Sequence, residues 1–296
     1  MRASERGLLM LTCSLGDPAA RPLASQQYVA VGKLLRRTPP ARTETETLTG
    51  SDLTRAGISE EYTRQILSLL NREKQLDAYL DAAERCGVSV VTILSSNYPA
   101  SLRQKLGDEA PTALFCKGDL SLLQEPCVSL VGSRRLGEEG SRFARTVGGL
   151  AARSGRTLVS GGAAGADQTG QNACLSAGGS VLVFTPERLD RIFCGDGVLL
   201  VSEDGFHLPF SAERALSRNR LIHAMGEATF VAQCTYRRGG TWRGSLYNLR
   251  RNLSPLYICD DGTQASRELI QEGATGISDL DRLSDLFQKI NRINRD

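Results

Sequence analysis

Six short apolar runs rich in β-branched residues, CVSLV, TLVSG, SVLVF, VLLVS, TFVAQC and PLYIC, begin at Cys127 and recur up to Cys259. Helical segments lie between several of them. In one of these, Phe143, Val147, Leu150 and Ala151 form a single apolar face, and Gly155 ends it. Strands that read as continuous apolar runs, alternating with helices, require a mostly parallel sheet covered on both faces. The fold class is therefore α/β, an extended Rossmann-like sheet, and its ligands are expected beyond the carboxyl ends of the strands.

The residues before this pattern have a different texture. Residues 1–95 read as a small helical domain: Tyr62, Ile66, Leu69 and Leu70 recur at helical spacing, as do Leu76, Tyr79, Leu80 and Ala83, with Gly87 as a stop. The opening MRASERGLLMLTCSLGD reads as a first helix. Its apolar run is short and Glu5 interrupts the basic end, unlike an export signal. A Thr/Glu-rich link, PPARTETETLTGSD, follows Pro39. The stretch LTRAGISEEYTRQIL resembles half of a helix-hairpin-helix, with Ser59 where that motif prefers glycine, and serves equally as a plain turn between packed helices. Residues 96–126, punctuated by Pro99, Pro111 and Pro126, read as a connector. Residues 127–276 form the Rossmann-like domain and 277–296 a C-terminal helix or tail.

Composition excludes several classes. With 41% hydrophobic and 23% charged residues, the chain is neither disordered nor fibrous. No run approaches the ~20 apolar residues of a membrane span. Eight cysteines without a C-x-x-C pair read as thiols of a reducing, cytoplasmic compartment, and two histidines are too few for a metal centre. A net charge of +3 identifies no partner, so the distribution of charge must.

Three loops have the character of an oxyanion site. After CVSLV come Gly132, Ser133 and Arg134: glycine admits close backbone approach, hydroxyl and amides donate, and arginine supplies a planar charged fork. Glu138 and Glu139 stand where a P-loop needs Lys and Ser/Thr, and there is no G-x-G-x-x-G, so no nucleotide cofactor is expected. The second loop, Ser160, Gly161, Gly162 through Asp167, is small enough for intimate contact. Asp167 serves equally as ligand contact or helix-terminus stabiliser. The third region holds Arg218, Asn219 and Arg220 before TFVAQC, and Arg238, Gly239, Gly240, Thr241, Trp242 and Arg243 after it. Arginine interleaved with aromatics suits a groove that tracks a nucleic-acid backbone, with Tyr236 or Trp242 as a stacking platform.

Taken in series, SLVGSR, SGGAAGAD, SRNRLI and the RGGT loop, preceded by YPASLRQKL and APTALFCKGDLSLL, resemble the DNA-processing protein DprA (Smf) family. The resemblance implies a homodimeric protein of natural transformation that binds and protects single-stranded DNA and loads a RecA-type recombinase. It implies no catalysis and no cofactor. By position, it places the residues of the three loops in the strand-binding pocket. Arginine and histidine are common in the family where this chain has Ala164 and Gln171, and the arginines around Trp242 are the expected replacement. The family's C-terminal winged helix is not expected here. The rival reading is a non-catalytic sensor of a small nucleotide-derived ligand. The glycosidase-like relatives of these loops carry a glutamate after P-G-G-x-G-T, and RGGTWRGS has none.

Overall fold

The computed structural model describes residues 1–40 and 48–293. Five helices come first: α1 (Ala3–Thr12), α2 (Ser25–Arg37), α3 (Gly50–Arg55), α4 (Glu60–Leu70) and α5 (Glu73–Arg85). Most of the Thr/Glu-rich link, positions 41–47, lies outside the described residues. Between α3 and α4 the chain turns on Gly57 at φ +85°, and the Ser59 hydroxyl caps α4 by accepting from the Tyr62 amide at 3.4 Å. A serine therefore suits the position where a hairpin motif would carry glycine.

The sheet then runs as β1 (Ser89–Thr92), α6 (Ala100–Leu106), β2 (Ala113–Gly118), β3 (Cys127–Val131), α7 (Glu138–Arg153), β4 (Thr157–Ser160), α8 (Ala166–Ser176), β5 (Val181–Phe184) and β6 (Val198–Ser202). It continues through α9 (Ala212–Ser217), α10 (Asn219–Met225), β7 (Thr229–Val231), α11 (Gly239–Arg251), β8 (Leu256–Cys259), α12 (Gln264–Gln271), β9 (Thr275–Ile277) and α13 (Asp281–Ile293). Among the described residues there is one nine-stranded sheet, ordered β1-β2-β6-β5-β4-β3-β7-β8-β9. From β6 to β9 every pairing is parallel, while β1–β2 and β2–β6 are antiparallel. All six apolar runs are strands of this α/β, Rossmann-like sheet.

The segment read as a connector behaves differently. Its residues 113–118 are β2, an internal strand that pairs with both β1 and β6, so the sheet begins at Ser89 and not at Cys127. The helical front end shares that core: Leu9, Met10, Leu76, Tyr79 and Ala83 pack in one cluster with Phe115 and Phe206. Tyr79 meets Phe115 edge-on at 6.0 Å. At the other end, Phe287 of α13 stacks on Phe230 at 5.2 Å and closes the face of β7. No described helix is long and apolar enough to cross a membrane.

The topology fixes where a ligand can sit. Strands are added outward from β3 in both directions, β4-β5-β6 on one side and β7-β8-β9 on the other. The loops after β3, β4 and β7 therefore diverge and leave a crevice at the carboxyl end of β3.

Candidate nucleic-acid interface

That crevice is a cavity of about 530 Å³. Gly132, Ser133 and Arg134 line it from the loop after β3, Ala163 from the loop after β4, Asp167 from the first turn of α8, and Arg218 and Asn219 from the start of α10. Arg238, Gly239, Gly240 and Thr241 line it from the start of α11. Four stretches separated by up to 109 residues thus meet at one place.

The loops are held by one another before any ligand is considered. The Ser133 amide donates to the Gln233 carbonyl at 2.7 Å, and the Ala166 amide donates to the Ser133 carbonyl at 3.1 Å. The Thr241 hydroxyl donates to the Gly132 carbonyl at 2.9 Å, tying α11 to β3. Gly165 has φ +83°, and a Cβ there would lie 2.3 Å from the Ser133 carbonyl oxygen, so only glycine lets these loops touch. Asp167 is the organiser of its own loop. Its Oδ2 accepts from the Gly161 amide at 3.0 Å and the Ala163 amide at 3.2 Å. Ser160 is fully buried, and its hydroxyl is met by the Gln171 amide. Ser160 shapes the loop from behind, and Asp167 does so from the cavity wall.

Arg218 is the exceptional group. Its side chain lies directly over Gly161, where a Cβ would fall 1.6 Å from Nη1. Only 9% of the residue is exposed, yet its Nε and Nη1 donors have no hydrogen-bond partner. A buried guanidinium with idle donors is a costly arrangement unless an anion completes it. Nearby charge is limited. Burial raises the Asp167 carboxyl from 3.8 to about 6, opposed by the Arg218 charge and the two amide bonds. Burial equally lowers the Arg218 pKa, opposed by Asp167. Arg134 and Arg238 stand exposed at the mouth, and the thirteen-residue helix α11 begins there with its unpaired amides.

Several expected contacts fall elsewhere. Arg220 turns away from the cavity: its guanidinium donates to both oxygens of Glu203, at 2.7 and 2.6 Å. The Glu203 partner, 17 residues upstream, has no signature in the sequence. Trp242 is 7% exposed and packs edge-on against Tyr236 at 5.2 Å, so its indole belongs to the core and is closed to a base. We expect Trp242→Ala to lower stability by ~3–5 kcal/mol, read by thermal unfolding. Gly161, Gly162 and Arg243 are not among the residues lining the cavity, and Arg243 is exposed.

Two lining features escaped the sequence reading. Phe210 is 47% exposed and Leu216 41%, and together they give the mouth an apolar wall. Phe210 lies between Pro209 and Ser211, the N-cap of α9, a position whose aromatic character was its only signal. His223, one of two histidines in the chain, lies in the wall between α10 and α11.

Comparison with known proteins matches residues 89–288 to the model of the DNA recombination-mediator protein A family. The chain belongs to that family. The match begins at β1, in agreement with a sheet that starts at Ser89. The DNA processing protein DprA of Streptococcus pneumoniae is 31% identical over 209 residues, 62% of this chain and 68% of the relative. Protein Smf of Escherichia coli is 28% identical over 229 residues, 73% of this chain but only 61% of the relative's length. Among solved structures, DprA of S. pneumoniae superposes with a TM-score of 0.72 at 24% identity, covering 95% of this chain and 97% of that one. A DNA processing protein A from Helicobacter pylori, described for its single-stranded DNA binding mode, gives 0.57 at 24% identity over 68% of this chain and 96% of that one. The superposition on the S. pneumoniae chain thus extends through the described helical front end.

Proposed function

We propose that the cavity holds a backbone phosphate of single-stranded DNA, with Arg218 as its central ligand. The observation that carries this reading is the buried Arg218 guanidinium, whose Nε and Nη1 lack partners in a cavity at the sheet's switch point. Gly132, Gly239, Gly240 and Thr241 bring backbone amides close to that anion, and Arg134 and Arg238 add charge at the rim, while the amides of Ser133 and Gly161 are engaged in holding the loops. Ser160, Gly162 and Asp167 support the loops. Phe210 and Leu216 replace Trp242 as the surface on which a base lies, a contact typically worth ~1–3 kcal/mol for an aromatic ring.

A phosphate-held strand leaves most base edges free, so overall sequence preference is weak. In this reading the protein covers and protects the strand and, as a homodimer, passes it to a RecA-type recombinase. Membership in a recombination-mediator family and the single-stranded DNA binding named for the H. pylori protein support it. A second reading, a sensor of a small nucleotide-derived ligand, is favoured by the cavity volume of about 530 Å³, which suits one nucleotide.

Fluorescence anisotropy with single- and double-stranded oligonucleotides of several lengths separates the two. Strand binding tightens with length and weakens with salt, because each contacted phosphate releases counterions. A sensor binds a mononucleotide as tightly as a strand, and that result would sink the proposal.

A pH dependence follows from Asp167. Its folded pKa is raised, so its contribution to stability is present below the unfolded value of 3.8 and lost as pH rises through about 6. Above that pH the carboxylate opposes an incoming phosphate and partly neutralises Arg218. A phosphodiester keeps its charge over this range, so strand affinity is expected to rise as pH falls through about 6. Asp167→Asn retains an oxygen acceptor for the two amides and should abolish the dependence; a wild-type profile that is flat contradicts the assignment.

A further inference from the structure

The wall of the cavity between α10 and α11 holds a second set of idle donors, neutral ones. His223 is fully buried, and its Nδ1 lies 3.2 Å from the Asn248 Nδ2. The direction of that bond is fixed from behind. The Ser254 backbone N–H can only donate, and it meets the Asn248 Oδ1 at 2.9 Å, so the amide turns its NH₂ toward the imidazole. His223 Nδ1 therefore accepts, and the ring proton resides on Nε2. The Ser254 hydroxyl further donates to the His223 carbonyl at 3.2 Å. Burial lowers the imidazole pKa to about 4, which keeps this tautomer neutral at physiological pH. Yet Nε2 has no partner.

One helical turn earlier, the half-buried Asn219 makes no side-chain hydrogen bond among the described residues. The opposing helix carries glycine beside both groups. A Cβ on Gly240 would lie 2.7 Å from Asn219 Nδ2, and one on Gly244 2.9 Å from His223 Nε2. Positions four apart on a helix are about 5–6 Å apart, so the two nitrogens are spaced along α11 by about one turn. No side chain of α11 at either position covers them.

We infer that this wall reads one base of the bound nucleotide, and that it selects the imide edge of thymine or uracil. The inference rests on a nucleotide occupying the cavity. Asn219 offers a donor and an acceptor and His223 a fixed donor, so the pair presents donor, acceptor and donor. Thymine presents the complement: a carbonyl oxygen, the N3–H and a second carbonyl oxygen. Cytosine presents two acceptors and a donor, and adenine a donor and an acceptor, so each leaves a buried group of the wall unpaired. The preference applies at one position of a strand whose other bases are held without selection.

The chain has two histidines, so nitrogen-15 labelling of histidine gives two imidazole systems, with His207, half-buried beside Tyr79, as an internal control. The 296-residue chain would be titrated with oligo(dT) and oligo(dA) of equal length and with thymidine monophosphate. The Nε2-protonated tautomer of His223 is expected at neutral pH. Its resonance should move with oligo(dT) and not with oligo(dA), and oligo(dT) should bind about fivefold more tightly, as expected for one or two added neutral hydrogen bonds. His223→Leu should remove that preference, bringing oligo(dT) affinity to the level of oligo(dA) measured with the same variant. Movement with the monophosphate supports the base reading and identifies a small nucleotide as sufficient. Equal affinity for both strands with His223 unmoved overturns the inference while leaving strand binding intact, a water then serving Nε2. Failure to bind either strand or the monophosphate overturns both.

Discussion

Gly161→Ala is expected to weaken strand binding as severely as removing Arg218 itself. The added Cβ would lie 1.6 Å from Arg218 Nη1 and 2.2 Å from Cζ, distances no rearrangement within the pocket can absorb. The guanidinium is the free end of a flexible side chain, so it swings out and the backbone stays. The Gly161 amide remains bonded to Asp167, and Gly161 is not among the glycines with positive φ. What is lost is the charged donor set at the phosphate. Hydrogen bonds to charged groups contribute ~1.5–3 kcal/mol, which corresponds to roughly 10- to 100-fold in Kd. Thermal stability should hardly change, because a partnerless buried cation leaves the interior. Anisotropy and a melting curve on the same preparation check both halves. A large fall in stability with unchanged affinity would remove Arg218 from the site.

The second large effect lies in the scaffold. Helices α7 and α8 cover the same face of the sheet and touch backbone to backbone at Gly148 and Gly170. A Cβ on Gly148 would lie 2.1 Å from the Gly170 carbonyl oxygen and 2.9 Å from its carbon. Unlike the Arg218 side chain, this neighbour is helix backbone packed against Leu130, and it cannot give. Gly148→Ala therefore forces the helices apart, at a cost near the upper end of ~1–3 kcal/mol for overpacking. For a chain of this size that is a fall of roughly 5 °C in Tm, measured by calorimetry. The folded fraction should bind DNA as wild type does. Two glycine-to-alanine changes thus separate site from scaffold, one silencing binding without loss of stability and the other the reverse.

Much of the fold was legible because parallel strands buried on both faces leave uninterrupted apolar runs, and all six such runs are strands. β1 and β2 escaped for the opposite reason. They are antiparallel, and the prolines around β2 read as punctuation of a loop. β9 has three residues and no pattern to detect.

The site divides in the same way. Glycine-rich loops after strands announce themselves locally, and Gly132, Ser133, Arg134, Arg218, Asn219 and the Arg238–Thr241 stretch do line one cavity. Side-chain direction is not local. Arg218 and Arg220 look alike in SRNR, yet one is buried beneath the cavity without a partner and the other is held by Glu203. Trp242 looked like a platform because it adjoins glycines and arginines, whereas its place on the inner face of α11 buries it against Tyr236. Phe210 and His223 matter through tertiary placement alone.

The most direct test of the central claim is the salt dependence of single-strand affinity in wild type and in Arg218→Ala. The account predicts weaker binding by the variant and a slope of log K against log salt shallower by about 0.7, the signature of one lost phosphate contact on a single strand. Equal affinities and parallel slopes would place the strand elsewhere on the molecule.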